Sequence, residues 1–123
     1  MPVVPAGALQ FQQLPGRLSA DPMPPDLAAG CSARVVRIAP GPRLPHRHPH
    51  SAEVVYVVSG TGTAWEGDVP TAVGPGDLVV VPPGVPHATV ATGTSDLVLV
   101  CFFPHPELAA NIEELSGPER AEG

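Results

Sequence analysis

The chain has 123 residues and a formal net charge of −6, enough for one domain whose core holds without disulfide staples. It contains no lysine, and its six cations are Arg17, Arg34, Arg37, Arg43, Arg47 and Arg120. That balance excludes the large basic face of a nucleic-acid binder and any Schiff base on a lysine. The 18 prolines and 13 glycines make about a quarter of the chain, a level that without a Gly-X-Y period hints at low complexity. Here most prolines punctuate short valine-rich runs, which points to an all-β domain with many turns.

Residues 1–30 hold six prolines and little periodicity. Ala8–Leu14 reads as a short edge strand, and Pro15–Gly30 as an irregular arm over a sheet edge or a partner subunit. The first residues lack the basic start and long apolar core of a signal peptide. No stretch has the length of a membrane span. Cys31 and Cys101 read as reduced, buried small residues, and the expected location is the cytoplasm.

From Cys31 the pattern changes. Cys31–Ala39 is β-favouring and stops at Pro40-Gly41-Pro42. Leu44–His48 is a short run, and Glu53–Val58 is a strong strand closed by Ser59-Gly60. Thr61–Trp65 and Val69–Val73 flank Glu66-Gly67-Asp68, a hairpin signal. Leu78–Val81 is a continuous apolar strand stopped by Pro82-Pro83-Gly84. His87–Ala91 and Asp96–Phe103 complete roughly eight short strands with regular turns, the pattern of a sandwich or barrel. After Pro106, Leu108, Ile112 and Leu115 fall at i, i+4 and i+7, which predicts a short C-terminal helix ended by Gly117-Pro118, followed by a disordered acidic tail. The organisation expected is an arm over 1–30, a barrel over 31–104, and the helix and tail over 105–123.

Within the barrel, His46, His48, Glu53 and His87 form a ligand-like set. Positions i and i+2 of a strand share a face, so His46 and His48 project together and Arg47 points away. Glu53 follows a proline-containing bend and is expected to return on the neighbouring strand of the same sheet. Pro86 holds Val85 extended just before His87, which brings a third imidazole in from another direction. Three imidazoles and one carboxylate suit Fe, Mn, Ni, Zn or Cu and leave positions open on an octahedral ion. With no cysteine nearby, an open catalytic or binding site fits better than a closed structural zinc site.

These two blocks resemble the paired motifs of the cupin superfamily. His46-x-His48, four residues, Glu53, six residues and Gly60 follow the first motif, with Gly41 one residue closer to His46 than usual. Gly76, Pro82, Gly84 and His87 follow the second, with Ala91 where an asparagine is usual, and 15 residues separate Gly60 from Gly76. The resemblance covers residues 41–91. It implies an all-β cupin jelly-roll barrel, commonly a homodimer, with the metal inside near one mouth. It leaves the reaction open among dioxygenases, decarboxylases, isomerases, epimerases, lyases, cyclases and non-catalytic binders.

The expected activity is a metal-dependent enzyme acting on a small organic molecule, with dioxygenase chemistry on the favoured Fe(II). The alternatives are isomerase, lyase or cyclase chemistry on Zn, Ni or Mn, with Glu53 as a base, or a metal-containing binding module without turnover. No nucleic-acid or membrane partner is expected. His50 reads as a spectator beyond Pro49, and His105 as a surface turn residue. Tyr56 and Trp65 read as core or rim. Of Arg34 and Arg37, three positions apart, one can enter the barrel and meet a substrate carboxylate. Cys101 is expected to be plainly buried.

Overall fold

The computed structural model describes residues 1–122. Strands β1 (Phe11–Leu14), β2 (Arg17–Ala20), β3 (Ser32–Ile38), β4 (His46–Arg47), β5 (Glu53–Ser59), β6 (Gly62–Glu66), β7 (Val69–Val73), β8 (Leu78–Val81), β9 (His87–Ala91), β10 (Leu97–Phe103) and β11 (Glu113–Glu114) form two antiparallel sheets. One has the order β1-β2-β3-β10-β5-β8 and the other β11-β4-β9-β6-β7. This is the jelly roll that the resemblance implies, within the sandwich-or-barrel class that the strand pattern gives.

Alternation along the central strands builds the core. On β10, Leu97, Leu99, Cys101 and Phe103 point inward and are buried, while Val100 and Phe102 face out. Its neighbours answer in register: Leu99 lies opposite Val36 on β3 and Val57 on β5. Ile38, Val57, Leu97 and Leu99 fill the apolar end of the barrel. At the other end the inward positions become polar, with Glu53 on β5 and His87 on β9.

One turn holds each end in place. Gly84, at φ +76°, lets the Pro82-Pro83-Gly84 turn fold back, and its N–H donates to the His48 carbonyl at 2.8 Å. The second block is thereby tied to the first. Gly60, which closes β5, sits at φ +83° with its Cα against the Asp96 carbonyl oxygen, where a Cβ would collide.

Several expectations are corrected. The stretch read as an irregular arm contains β2, which pairs with both β1 and β3. The sequence signal was weak because Pro15-Gly16 and Pro22 bracket only five residues, and the ladder supplies the stability. The predicted C-terminal helix is absent: only a three-residue 3-10 turn, Leu108–Ala110, forms. The backbone instead makes β11, which pairs with β4 through Glu113 opposite Arg47 and Glu114 opposite His46. The apolar spacing is met without a helix, since Leu108 packs on the core and Leu115 donates its N–H to the Pro45 carbonyl. The tail is also attached. Arg43 and Arg120 exchange two backbone hydrogen bonds of 2.8 Å, the Arg120 guanidinium lies 4.8 Å from the centre of the Trp65 ring, and the Trp65 indole N–H donates to Ala121. Both cysteines are free thiols, Cys101 buried and Cys31 half-buried.

Gly60→Ala is expected to lower stability by about 1–3 kcal/mol, because it places a side chain at positive φ and against backbone. Urea unfolding monitored by far-UV circular dichroism measures this; an unchanged midpoint would contradict the packing described.

Candidate metal centre

His46, His48, Glu53 and His87 meet inside the polar end of the barrel, all four buried. One ligand atom from each lies within 4.8 Å of all the others. Ligands on opposite sides of a first-row ion stand about 4 Å apart, so this is the size of a coordination shell. The imidazole centroids are 4.5 to 5.0 Å from one another.

The cage spans both sheets. His46 on β4 lies directly opposite His87 on β9 in the five-stranded sheet. Glu53 opens β5 in the six-stranded sheet. The expectation that all four ligands share one sheet is therefore corrected: the Pro49–Ala52 bend carries the chain across the barrel, and Glu53 faces the histidines from the opposite wall. His48 lies just past β4 and packs its ring edge against Phe103 at 4.7 Å.

Proton positions follow from the partners. The His48 Nδ1–H donates to the Asn111 carbonyl at 2.8 Å, and the His87 Nδ1–H donates to the Val85 carbonyl at 2.9 Å. A carbonyl only accepts, so each ring turns its Nε2 to the centre, as metal-binding imidazoles do. His87 Nε2 lies 2.9 Å from Glu53 Oε1. Two acceptors at that distance need a proton or a cation between them. His48 Nε2 is 3.4 Å from the same oxygen but too poorly aligned to bond to it. With His46 Nδ1, it remains a buried nitrogen without a partner. Buried polar atoms of this kind are costly, and a metal ion is the partner that this donor set fits.

The electrostatics prepare the ligands. Burial, reinforced by the charge of His87, draws His46 well below the ordinary histidine range, so it is neutral. Burial alone would push the Glu53 carboxyl up, but the His48 and His87 imidazoles facing it outweigh that and hold it well below the usual carboxylate range. Metals bind neutral imidazole and ionised carboxylate.

The remaining candidates sort clearly. His50 is outside the cage; its ring stacks on His105 at 5.8 Å. Arg34 faces the interior chamber, whereas Arg37 lies outside over the Phe11 ring at 5.0 Å. Tyr56 is exposed on the outer sheet face. Trp65 lines a cleft of about 220 Å³ that reaches His87 past Val81. Cys101 borders the chamber beside Glu53; burial and that carboxylate push its thiol well up, so it stays protonated.

Sequence reasoning missed three residues. Asn111 is fully buried; its side chain accepts from the His50 N–H and donates to Ser51 Oγ, each within 2.8 Å. It thus fixes the carbonyl that orients His48 and ties the C-terminal segment to the bend. Arg17 and Arg43 are buried and border the same chamber as the quartet. Burial and the charge of Arg17 draw the Arg43 guanidinium down to about 10, still protonated at neutral pH.

Comparison with known proteins agrees with the fold. Residues 34–103 match the model of the cupin domain family. Among solved structures, the chain resembles the Lactobacillus farciminis oxalate decarboxylase in complex with formate, with a TM-score of 0.73 and 24% identity over 89% of this chain and 34% of that one. It resembles Streptomyces Pac13 bound to uridine, with a TM-score of 0.75 and 15% identity over 94% of this chain and 90% of that one. It also resembles KdgF from Halomonas, with a TM-score of 0.72 and 22% identity over 89% of this chain and 98% of that one. The chain spans about a third of the length of the oxalate decarboxylase it matches. No curated protein matches it in sequence. Jelly-roll topology, a buried three-histidine and glutamate cage that fits a divalent metal, and a family match over more than half the chain together make this protein a member of the cupin family.

Proposed function

We propose that His46, His48, Glu53 and His87 hold a divalent transition metal, Fe(II) in preference to Mn, Ni, Zn or Cu, and that the protein is an enzyme acting on a small organic molecule. The observation that carries this reading is the buried, partnerless Nε2 of His48 beside an ionised Glu53, within a four-residue cluster whose ligand atoms all lie within 4.8 Å of one another. A bound ion supplies Lewis acidity and, as Fe(II), the capacity to activate O₂. The chain's residues do the rest. Asn111 and Val85 hold two imidazoles in one orientation through their carbonyls. Phe103 and Val55 wall the chamber with apolar surface. Glu53 is the one buried carboxylate there; held ionised between imidazoles it acts as a ligand, and it takes a proton only after leaving them.

The family resemblance supports an enzyme, since oxalate decarboxylase and Pac13, a nucleoside dehydratase, share the fold. One observation favours a second reading, a binding cupin without turnover. Apart from the quartet, the ionisable side chains bordering the chamber are Arg17, Arg34, Arg43 and a protonated Cys101, and none is a ready acid–base pair. If the ion is Zn, Ni or Mn, isomerase, lyase or cyclase chemistry replaces oxygen chemistry. Free thiols accord with a reducing, cytoplasmic location.

Metal-stripped protein is expected to take up one Fe(II) or Mn(II) per chain by calorimetry, and His87→Ala to lose at least tenfold in affinity. Binding weakens in acid, because protons and metal compete for the same nitrogens. Protein that binds no divalent metal at neutral pH would refute the assignment. For the Fe(II) form, O₂ uptake with catechol, flavonol and β-diketone substrates distinguishes oxygenase from binder.

We further propose a homodimer. Val100, Tyr56 and Leu78 form one row across β10, β5 and β8, and Phe102, Val54 and Val80 form the next. Leu78 is 64% and Val80 62% exposed, and neither row contains a charge. An apolar face of this kind, on the order of several hundred Å², is the size at which patches mark interaction sites, and a second copy offers the matching uncharged surface. Sedimentation is expected to show a dimer for the native chain and a monomer for Val80→Asp; a native monomer at micromolar concentration would contradict this.

A further inference from the structure

The chamber that the quartet closes on one side is bordered on the other by Arg17, Ser19, Arg34 and Arg43. Its inner volume is small, about 40 Å³. Arg17, Ser19 and Arg34 also line a wider recess of about 610 Å³, between the β1–β2 hairpin and residues 108–114. Two arginines and a hydroxyl therefore stand where the outer recess meets the chamber.

The cations are poorly matched inside. Arg17 is 9% and Arg43 5% exposed. Arg17 pairs with Glu114 at 3.1 Å, and Arg34 lies 3.4 Å from Asp21, but both carboxylates are largely exposed to water. The buried anion of the chamber is Glu53, already held against His87 at 2.9 Å and faced by His48 at 3.4 Å. Arg43 donates one terminal N–H to the Thr89 carbonyl at 2.8 Å, while its Nε is buried without a partner. Buried positive charge without a buried counter-charge is costly. A bound divalent ion would enlarge the imbalance.

We propose that Arg17, Arg34 and Arg43 select a small carboxylate, taken in through the recess at the β1–β2 hairpin, whose negative charge completes that of the chamber. The proposal deepens the metal reading by naming the substrate class, yet the arginines recognise the anion whether or not a metal is bound. A carboxylate fits better than a phosphate. Arg17 already donates to Pro15 and Glu114 from its two terminal nitrogens. Arg34 and Arg43 each commit one, to Ala33 and Thr89. Each guanidinium keeps further N–H donors, but of the three cations only Arg43 lacks a carboxylate partner, an excess of one charge that a carboxylate answers and a phosphate dianion overshoots.

The test is calorimetric titration of metal-stripped protein with acetate, malonate and succinate, with acetamide, malonamide and succinamide as neutral counterparts and inorganic phosphate as the competing anion. At least one carboxylate is expected to bind at least tenfold more tightly than its amide, the scale of a charge-assisted hydrogen bond, and more tightly than phosphate. Arg34→Gln, and independently Arg43→Gln, should each erase most of that preference while circular dichroism and Mn(II) binding stay unchanged. Amides that bind as well as acids, phosphate that binds more tightly, or undiminished preference in both variants would each overturn the proposal. The wild-type comparison decides even if a variant folds poorly. Carboxylate binding by a protein that takes up no metal would overturn the metal reading alone, and metal uptake without acid-over-amide preference would overturn this one alone.

Discussion

The structure depends on one buried contact, the Glu53 carboxylate of one sheet set against the imidazoles of the other. Such a group cannot sit in a barrel interior unless opposite charge or donors surround it. His87 stands at 2.9 Å and His48 at 3.4 Å from it, and with both Nδ1 protons committed to carbonyls the balancing charge is a proton or a cation held between the imidazoles and the carboxylate. Meeting this demand dictates much around it. The Pro49–Ala52 bend must cross between sheets, the Pro82-Pro83-Gly84 turn must grip the His48 carbonyl, and Asn111 must reach in from the C-terminal segment. The opposite end of the barrel has no such burden and is filled by Ile38, Val57, Leu97 and Leu99. One end thus provides cohesion and the other chemistry.

How legible this was in the sequence varies with the range of the interaction that decides it. His46, His48 and His87 could be read because strand parity and the proline before His87 are local constraints. The opposing sheet of Glu53 could not, since a four-residue bend can turn back or cross over with equal ease. Strand β2 was hidden by its brackets, Pro15-Gly16 and Pro22, because its support comes from β3 through Leu18 opposite Arg37 and Ala20 opposite Val35. At the C-terminus, the spacing of Leu108, Ile112 and Leu115 is helical, but pairing of Glu113 and Glu114 with β4 overrode that weak local preference. Asn111 carries no motif, and its importance appears only when its neighbours are assembled around it. Arg17 and Arg43 were invisible for the same reason: burial of an arginine is a property of the fold.

The cage is thus better specified than the reaction. A preorganised ligand set, with two imidazoles oriented by carbonyls, is common ground for enzymes and binders. What separates them lies in the chamber walls, and here those walls are apolar side chains interrupted by arginines. Arginines bind and orient anions but do not readily move protons. The wall therefore speaks to what enters the barrel, and the ion to what happens there.

X-ray absorption at the edge of the metal bound by protein isolated without an affinity tag tests the central claim most directly. The account predicts a first shell of nitrogen and oxygen only, with outer-shell scattering from three imidazoles and no sulfur. A sulfur ligand from Cys101, or fewer than three imidazoles, would contradict it.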